Sequence, residues 1–270
     1  MSYQHFKVEI ADKVAQVKFN RPDKANALHI EAWVEMQKIF ESLSTDETVR
    51  VIVLTGEGKH FCAGIDLELL MSVNSFKAIG CSAKRSEKIR NFILELQDTI
   101  TAIEKCSKPV IAAVHGGCIG GAVDIVSACD MRYSTADAYF SIKEIDLGMV
   151  ADIGTLQRLP KIISSAIVSE MAYTGRKVSG KEAEKIGLVN RSFDSPDELT
   201  DGVMQVAHAI ASKSPLSIRG TKEIIRFTRD HNVDDSLNYI ATWNAAMLLS
   251  NDLTEAFKAT MEKRAPEFED

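Results

Sequence analysis

Three carboxylic acids stand in surroundings where a carboxylate is costly. Asp124 lies inside Ala122-Val123-Asp124-Ile125-Val126, Asp152 follows Leu147-Gly148-Met149-Val150-Ala151, and Glu144 falls between them in Ile142-Lys143-Glu144-Ile145. An unpaired carboxylate among apolar neighbours loses hydration, so its pKa rises toward the range useful for proton transfer near neutral pH. A cap, or a salt bridge to Arg132 or Arg158, is the ordinary alternative for the embedded acids. Two glycine turns offer a second kind of chemistry. Gly116-Gly117-Cys118-Ile119-Gly120-Gly121 joins a strand-like run to a helix-like run, and Gly56-Glu57-Gly58 through Gly64-Ile65-Asp66-Leu67 follows another apolar run. Backbone N–H groups at such turns can hold an oxygen anion, and glycine permits the close approach. Two donors aimed at one carbonyl oxygen stabilise an enolate, although tight packing alone also accounts for a glycine turn.

Other motifs carry less. Gly175-Arg176-Lys177-Val178-Ser179-Gly180-Lys181-Glu182 fails as a nucleotide-binding phosphate loop, because Glu182 replaces the Ser or Thr that would hold Mg²⁺ and no apolar strand leads in. Ser179 with Glu182 reads instead as a capping box. The dinucleotide fingerprint G-x-G-x-x-G is absent from the 116–121 turn. His115 has no Ser or Cys nucleophile motif beside it and reads as a hydrogen-bonding residue; Trp243 and Met247, one helical turn apart, read as core or interface. Cys62, Cys81, Cys106, Cys118 and Cys129 have no close C-x-x-C spacing. They read as reduced, mostly buried thiols, and no metal site is expected.

The elements that must position these groups alternate. Phe6 to Ile10 and Val14 to Phe19 predict a hairpin, Leu28 to Leu43 a helix, and Val51 to Leu54 a buried strand. Ile89, Phe92, Ile93, Leu96, Ile100 and Ile103 predict an amphipathic helix ended by Pro109, followed by a strand at Val110 to Val114, a helix at Ala122 to Ser127 and a strand at Met131 to Ser134. This is an α/β pattern. Helices are predicted over Pro196 to Ala211, Leu216 to Asp230 and Asp234 to Lys263, giving a core region 1–200 that carries the site and a helical region 201–270. Within 270 residues, a net charge of −6 without a basic cluster speaks against nucleic-acid binding. No apolar run approaches the roughly 18 residues that span a bilayer, so no membrane insertion is expected. Met1 to Lys7 has no signal-like basic flank, and the C-terminus is not a Ser-Lys-Leu address.

Asn20-Arg21-Pro22 with Asn26-Ala27-Leu28, Phe61-Cys62-Ala63-Gly64-Ile65-Asp66-Leu67, Lys108-Pro109-Val110 through Gly116, and Gly120-Gly121 together resemble the crotonase superfamily from Val8 to about Phe257. The resemblance implies a crotonase-type spiral of β-β-α turns with a C-terminal helical region for trimer formation, assembled as a homotrimer or a hexameric dimer of trimers. It implies an acyl-CoA substrate lying against Ala63, Gly64, Ile65, Asp66, Leu67, Gly120 and Gly121, with the N–H groups of Ile65 and Gly121 as an oxyanion hole. No cofactor is implied, since CoA is part of the substrate. Hydratases of the superfamily carry glutamates at positions matching Asp124 and Glu144 and glycine at Asp152; the trio here looks like that of the dienoyl-CoA isomerases. Gly154 to Pro160, Arg229-Asp230-His231 and Ala241 to Asn244 are similar to that subfamily as well.

Converting a 3,5-diene to a 2,4-diene moves a proton from C2 to C6, which needs acid/base groups at both ends of a conjugated chain. By position, Glu144 is assigned to C2 and Asp152 to C6, with Asp124 tuning the pair; these three are the catalytic candidates in a step of unsaturated fatty-acid β-oxidation. The alternatives are an enoyl-CoA hydratase or 3-enoyl to 2-enoyl isomerase, or, from another class, a non-catalytic or RNA-binding crotonase-fold protein. The compartment expected is the cytoplasm in a bacterium, or the mitochondrion or peroxisome in a eukaryote after loss of a targeting segment.

Overall fold

A computed structural model describes residues 3–270; Met1 and Ser2, where the expected core region begins, lie outside the described residues. Strands β1 (Phe6–Ala11) and β2 (Val14–Phe19) form the expected antiparallel hairpin. Then come α1 (Ile30–Thr45), β3 (Val51–Gly56), α2 (Leu67–Ser72), α3 (Ser82–Lys105), β4 (Val110–Val114), β5 (Gly117–Ile119), α4 (Gly121–Ala128), β6 (Met131–Thr135) and β7 (Tyr139–Ser141). The chain continues through α5 (Thr155–Arg158), α6 (Ser165–Thr174), β8 (Val178–Ser179), α7 (Gly180–Lys185) and β9 (Arg191–Phe193). It closes on α8 (Pro196–Ala211), α9 (Pro215–Thr228), α10 (Val233–Met247) and α11 (Asn251–Glu262).

Strands alternate between two sheets. The larger has the order β1-β2-β3-β4-β6-β9 and is parallel beyond the hairpin; the smaller has the order β5-β7-β8. Strand β4 passes the chain to β5, and β6 passes it to β7, so successive turns lay one strand in each sheet. Bridges Cys62↔Cys118 and Leu28↔Ile65 extend this arrangement to the preceding turn. The result is the expected α/β spiral.

Burial follows from that layering. Strand β4 is buried at every residue, as a parallel strand covered on both faces must be. On one face Ile52, Leu54, Val110, Ala112 and Val114 pack with Trp33, Met36 and Phe40 of α1, Ile100 and Ile103 of α3, and α4. On the other, Val51, Val53, Ile111 and Ala113 meet Leu199, Val203, Ala207 and Ala211, a four-residue spacing that puts one stripe of α8 on the sheet. The C-terminus is tied to the same layer: buried Arg50 pairs with Asp270 at 2.8 Å and donates to Phe268 O at 2.7 Å and Ala211 O at 2.9 Å. Among the described residues, no helix is long and apolar enough to cross a membrane.

Some boundaries differ from the sequence reading. Helix α1 starts at Ile30 rather than Leu28, because Leu28 N–H donates to Gly64 O and Leu28 O accepts from Asp66 N–H. The long helix expected over Asp234 to Lys263 is two helices, interrupted at Ser250, whose extended backbone caps α11. Tyr239, Trp243, Leu248 and Phe257 stand in the C-terminal helical region, whose apolar faces are expected to pack on the spiral core or on neighbouring subunits. Trp243 packs on Gly220, whereas Leu248 and Phe257 are 55% and 64% exposed in the single chain.

Asn26 is the polar hub of the first turn. Its Oδ1 accepts from Arg21 N–H, while Nδ2 donates to Glu57 O at 2.9 Å, His60 O at 2.8 Å and Phe61 O at 3.1 Å, all within the core. Asn26→Asp replaces the donor with a carboxyl facing three carbonyl oxygens. The expected loss is on the order of 3 kcal/mol or more of unfolding free energy, measured by urea denaturation. A loss below roughly 1 kcal/mol would show that this hub does not hold the turn.

Candidate active site

The two glycine turns meet. Cys62 N–H donates to Gly117 O and Ile119 N–H to Cys62 O, both at 3.1 Å, so the segment leading to Ile65 runs alongside the one leading to Gly121. Contact is close enough to require glycine: a Cβ on Gly64, whose φ is +78°, would stand 2.5 Å from Ile119 O and 2.7 Å from Gly121 N. Trp33 braces both sides. Its ring would be 3.2 Å from a Cβ on Gly121, and its Nε1 donates at 3.1 Å to Leu28 O, which also accepts from Asp66 N–H.

Gly121 opens helix α4, where a first-turn N–H has no intrahelical acceptor. Neither its N–H nor that of Ile65 donates to any acceptor among the described residues. Of the remaining substrate-contact candidates, Gly120 is buried, Ala63 is half-buried and Leu67 is exposed at the start of α2. The Asp66 side chain is engaged structurally: it accepts from Glu68 N–H as the cap of α2 and pairs with Arg21.

The three candidate acids are brought together. Asp124, fully buried in the first turn of α4, accepts Thr155 N–H on Oδ1 at 2.6 Å, and its buried Oδ2 has no hydrogen-bond partner among the described residues. Glu144 opens the 3-10 turn Glu144–Leu147; its Oε1 would lie 3.2 Å from a Cβ on Gly120, and its buried Oε2 has no partner. Asp152 departs from the sequence reading, which embeds it in an apolar run. It is exposed, and so are Leu147, at the end of that 3-10 turn, and Val150, in the stretch that leads to it.

Electrostatics link the acids in series. Burial first, then the charge of Glu144, pushes Asp124 up to about 7. Burial and, more weakly, the charge of Asp152 raise Glu144; burial raises Asp152 despite its place at the rim. The arginines that might have neutralised them go elsewhere. Arg132 donates to Leu188 O and Cys129 O, and Arg158 pairs with Glu104 at 2.9 Å. Among the described residues, no cation forms an ion pair with any of the three, and no group of three or more His, Cys, Asp or Glu side chains could hold a metal ion.

Motifs set aside in the sequence take ordinary places. His115 Nε2 lies 3.0 Å from Gly58 O, Gly175 is the left-handed cap ending α6, and Ser179 accepts Glu182 N–H at 3.2 Å. All five cysteines are free, and only Cys81 is exposed. Gln97 donates to Asp152 O at 2.6 Å and supports the site without a sequence signal, since its partner lies far away along the chain; Thr155, whose N–H donates to Asp124, falls in the 154–160 stretch noted in the sequence.

The Asp124 shift has a thermodynamic consequence. Between its ordinary 3.8 and about 7, the folded chain keeps a proton that the unfolded chain has lost, so stability falls as pH rises through that window and then levels off. A shift of that size corresponds to at most about 4 kcal/mol. Asp124→Asn removes the contribution. Its stability relative to wild type, followed by urea unfolding, should rise by a few kcal/mol, on the order of 3, from pH 4 to pH 8. A difference that stays flat with pH would mean that Asp124 is ionised in the folded protein.

The family described as enoyl-CoA hydratase/isomerase matches residues 9–270. The chain is 51% identical over 250 residues to the peroxisomal Delta(3,5)-Delta(2,4)-dienoyl-CoA isomerase of Arabidopsis thaliana, covering 92% of this chain and 90% of the relative. It is 46% identical to the mitochondrial Delta(3,5)-Delta(2,4)-dienoyl-CoA isomerase of Homo sapiens, covering 97% of this chain and 81% of the relative. The crystal structure of an enoyl-CoA hydratase from Bacillus anthracis superposes with a TM-score of 0.89 at 29% identity, covering 98% of this chain and 99% of that one. The spiral and the sequence together establish that this chain belongs to the enoyl-CoA hydratase/isomerase family.

Proposed function

We propose that the chain is a 3,5-dienoyl-CoA to 2,4-dienoyl-CoA isomerase. The observation that carries this reading is the third carboxyl, Asp152, coupled to Glu144 but displaced toward the rim. In the proposed reaction, the thioester oxygen accepts hydrogen bonds from the N–H groups of Ile65 and Gly121. Ionised Glu144 removes a proton from C2, and the electron pair passes into a trienolate, conjugated from the thioester oxygen to C6, whose oxygen those donors stabilise. The double bonds move to C2=C3 and C4=C5 as protonated Asp152 delivers a proton to C6. Atoms and charge balance within the substrate and the two carboxyls, so the reaction calls for no separate cofactor. Asp124, with its raised pKa, is assigned the role of tuning Glu144 rather than touching substrate.

The rim supports the acyl part of this assignment. Ile145, Leu147 and Val150 flank the two carboxyls and are 43%, 48% and 71% exposed, an apolar surface suited to a fatty-acyl chain. Leu237, Leu248, Leu249 and Phe257 on and between the last two helices are similarly exposed, and we assign that region to contacts in a homotrimer or hexamer. In a eukaryotic host the compartment proposed is the peroxisome or mitochondrion, where the named relatives work.

The primary test is incubation with 3,5-octadienoyl-CoA while the absorbance of the conjugated 2,4-dienoyl thioester is followed. Rapid isomerisation is expected. Hydration of 2-enoyl-CoA as the dominant activity would instead favour the hydratase alternative. Glu144→Gln and Asp152→Asn should each lower isomerisation by on the order of 100-fold or more with little change in KM. Because turnover needs Glu144 ionised and Asp152 protonated, the rate should fall on the acid side as Glu144 gains a proton and on the alkaline side as Asp152 loses one. Each limb should lie above the ordinary value of its residue type, since burial raises both carboxyls. For assembly, sedimentation at micromolar concentration should give a trimer or hexamer, and a monomer alone would remove the proposed role of the last helices.

A further inference from the structure

Among the described residues no other residue hydrogen-bonds the Asp152 carboxyl, which is bonded to its own backbone, so its place depends on the backbone that carries it. Helix α3 restrains that backbone at two heights. Toward its C-terminal end, Glu104 receives Arg158 Nη2 at 2.9 Å and Nε at 3.2 Å. The Arg158 guanidinium lies over Gly154, where a Cβ would stand 1.8 Å from Nη1. Seven residues earlier, which is about two helical turns and therefore the same face of α3, Gln97 Nε2 donates to Asp152 O at 2.6 Å. The next fixed point is Thr155 N–H on Asp124.

These restraints are unequal. Arg158 and Asp124 hold residues 153–155, deep in the site, while the peptide of Asp152 itself is held among the described residues by Gln97 alone. Met149 N–H returns to Glu144 O on the preceding side, so Asp152 follows a segment whose Val150 side chain is exposed. Without the Gln97 bond, the Asp152 peptide could rotate while Glu144, Asp124 and the glycine turns stayed in place.

We propose that Gln97 is a positioning residue for proton delivery at the distal end of the diene: by fixing the Asp152 carbonyl from α3, it aims the Asp152 carboxyl at C6. This rests on the assignment of Asp152 as the C6 acid. Gln97 acts after C2 deprotonation, which Glu144 and the two backbone donors carry out without it. A purely structural glutamine would lack this selectivity.

Gln97→Met keeps the length and helix preference of the side chain and removes the donor. In this variant, isomerisation of 3,5-octadienoyl-CoA should fall by about 10- to 100-fold, the scale of a small misplacement of a reacting group. KM and the exchange of the substrate C2 hydrogen with deuterated solvent should stay within about twofold of wild type. Gln97→Lys, which restores a donor within reach of the carbonyl, should recover part of the rate. Wild-type isomerisation in Gln97→Met, or exchange and isomerisation falling by the same factor, would overturn the proposal. If the assignment beneath it is at fault, Asp152→Asn will itself isomerise at the wild-type rate. If only the role of Gln97 is wrong, Asp152→Asn will be inactive while Gln97→Met remains active.

Discussion

Among the described residues, three carboxyl groups share one site with two unfilled backbone donors and no ion-paired cation, and much of the surrounding structure serves to keep them so. A buried carboxylate ordinarily draws in an arginine, and two arginines are near at hand. Arg132 is spent on the carbonyls of Cys129 and Leu188. Arg158 is turned away toward Glu104, which burial would raise but which Arg158 and Arg229 together hold below its usual range. With those charges diverted, burial raises the pKa of each acid, and the charges of Glu144 and Asp152 raise Asp124 and Glu144 further. The fold thus sets the protonation state of the site through ion pairs made outside it.

Pairing between neighbouring turns of the spiral supplies the other half of the arrangement. Because the bridges Cys62↔Cys118 and Leu28↔Ile65 fix neighbouring turns of the spiral, Gly64 and Gly121 lie in contact although far apart in sequence. Asn26 ties the turn below to three carbonyls, and Trp33 fills the space under Gly121 while its indole N–H reaches Leu28 O. Backbone donors cannot adjust their direction as side chains can, so the proposed oxyanion hole of peptide N–H groups is only as well placed as the strands behind it. The buried β3–β4 pair, covered by α1 and α3 on one face and α8 on the other, gives that rigidity.

Much of this was legible in the sequence because it is local. Apolar spacing gave the β1–β2 hairpin, α3, β4 and α8; the cost of burying a carboxylate singled out Asp124; and the turn motifs gave the family likeness. What stayed hidden depends on contacts between distant segments. Nothing near Leu28 announces that its backbone is taken by residues 64–66, so α1 begins later than its apolar pattern implies. The Leu147 to Ala151 run looks like core by composition, yet only Ala151 of it is buried: Leu147 and Val150 are exposed, and so is Asp152 after them. The interruption at Ser250 was missed because Leu248 and Leu249 continue an apolar run across the break. Gln97 carries no motif, since its partner is a carbonyl 55 positions away.

The graded exposure of the acids bears on how the proposed enzyme resets itself. Each turnover leaves Glu144 protonated and Asp152 ionised, so one proton must leave the first and one must reach the second before the next substrate is processed. Asp124, sealed in α4 with a single N–H on one oxygen, is too enclosed to exchange directly with water. Glu144 is intermediate, and Asp152 stands at the rim with solvent beside it. The group that must be refilled from solvent is therefore the one solvent can reach. The group that must lose its proton sits beside a neighbour whose charge, once Asp152 is ionised, raises the Glu144 pKa and opposes that loss. Re-protonation of Asp152 removes the opposing charge, so the reset is ordered: the rim acid fills first, and Glu144 then releases its proton more readily. An acid buried as deeply as Asp124 at the distal position would lack that order, which gives a physical reason for the outermost carboxyl to be the one on an exposed segment.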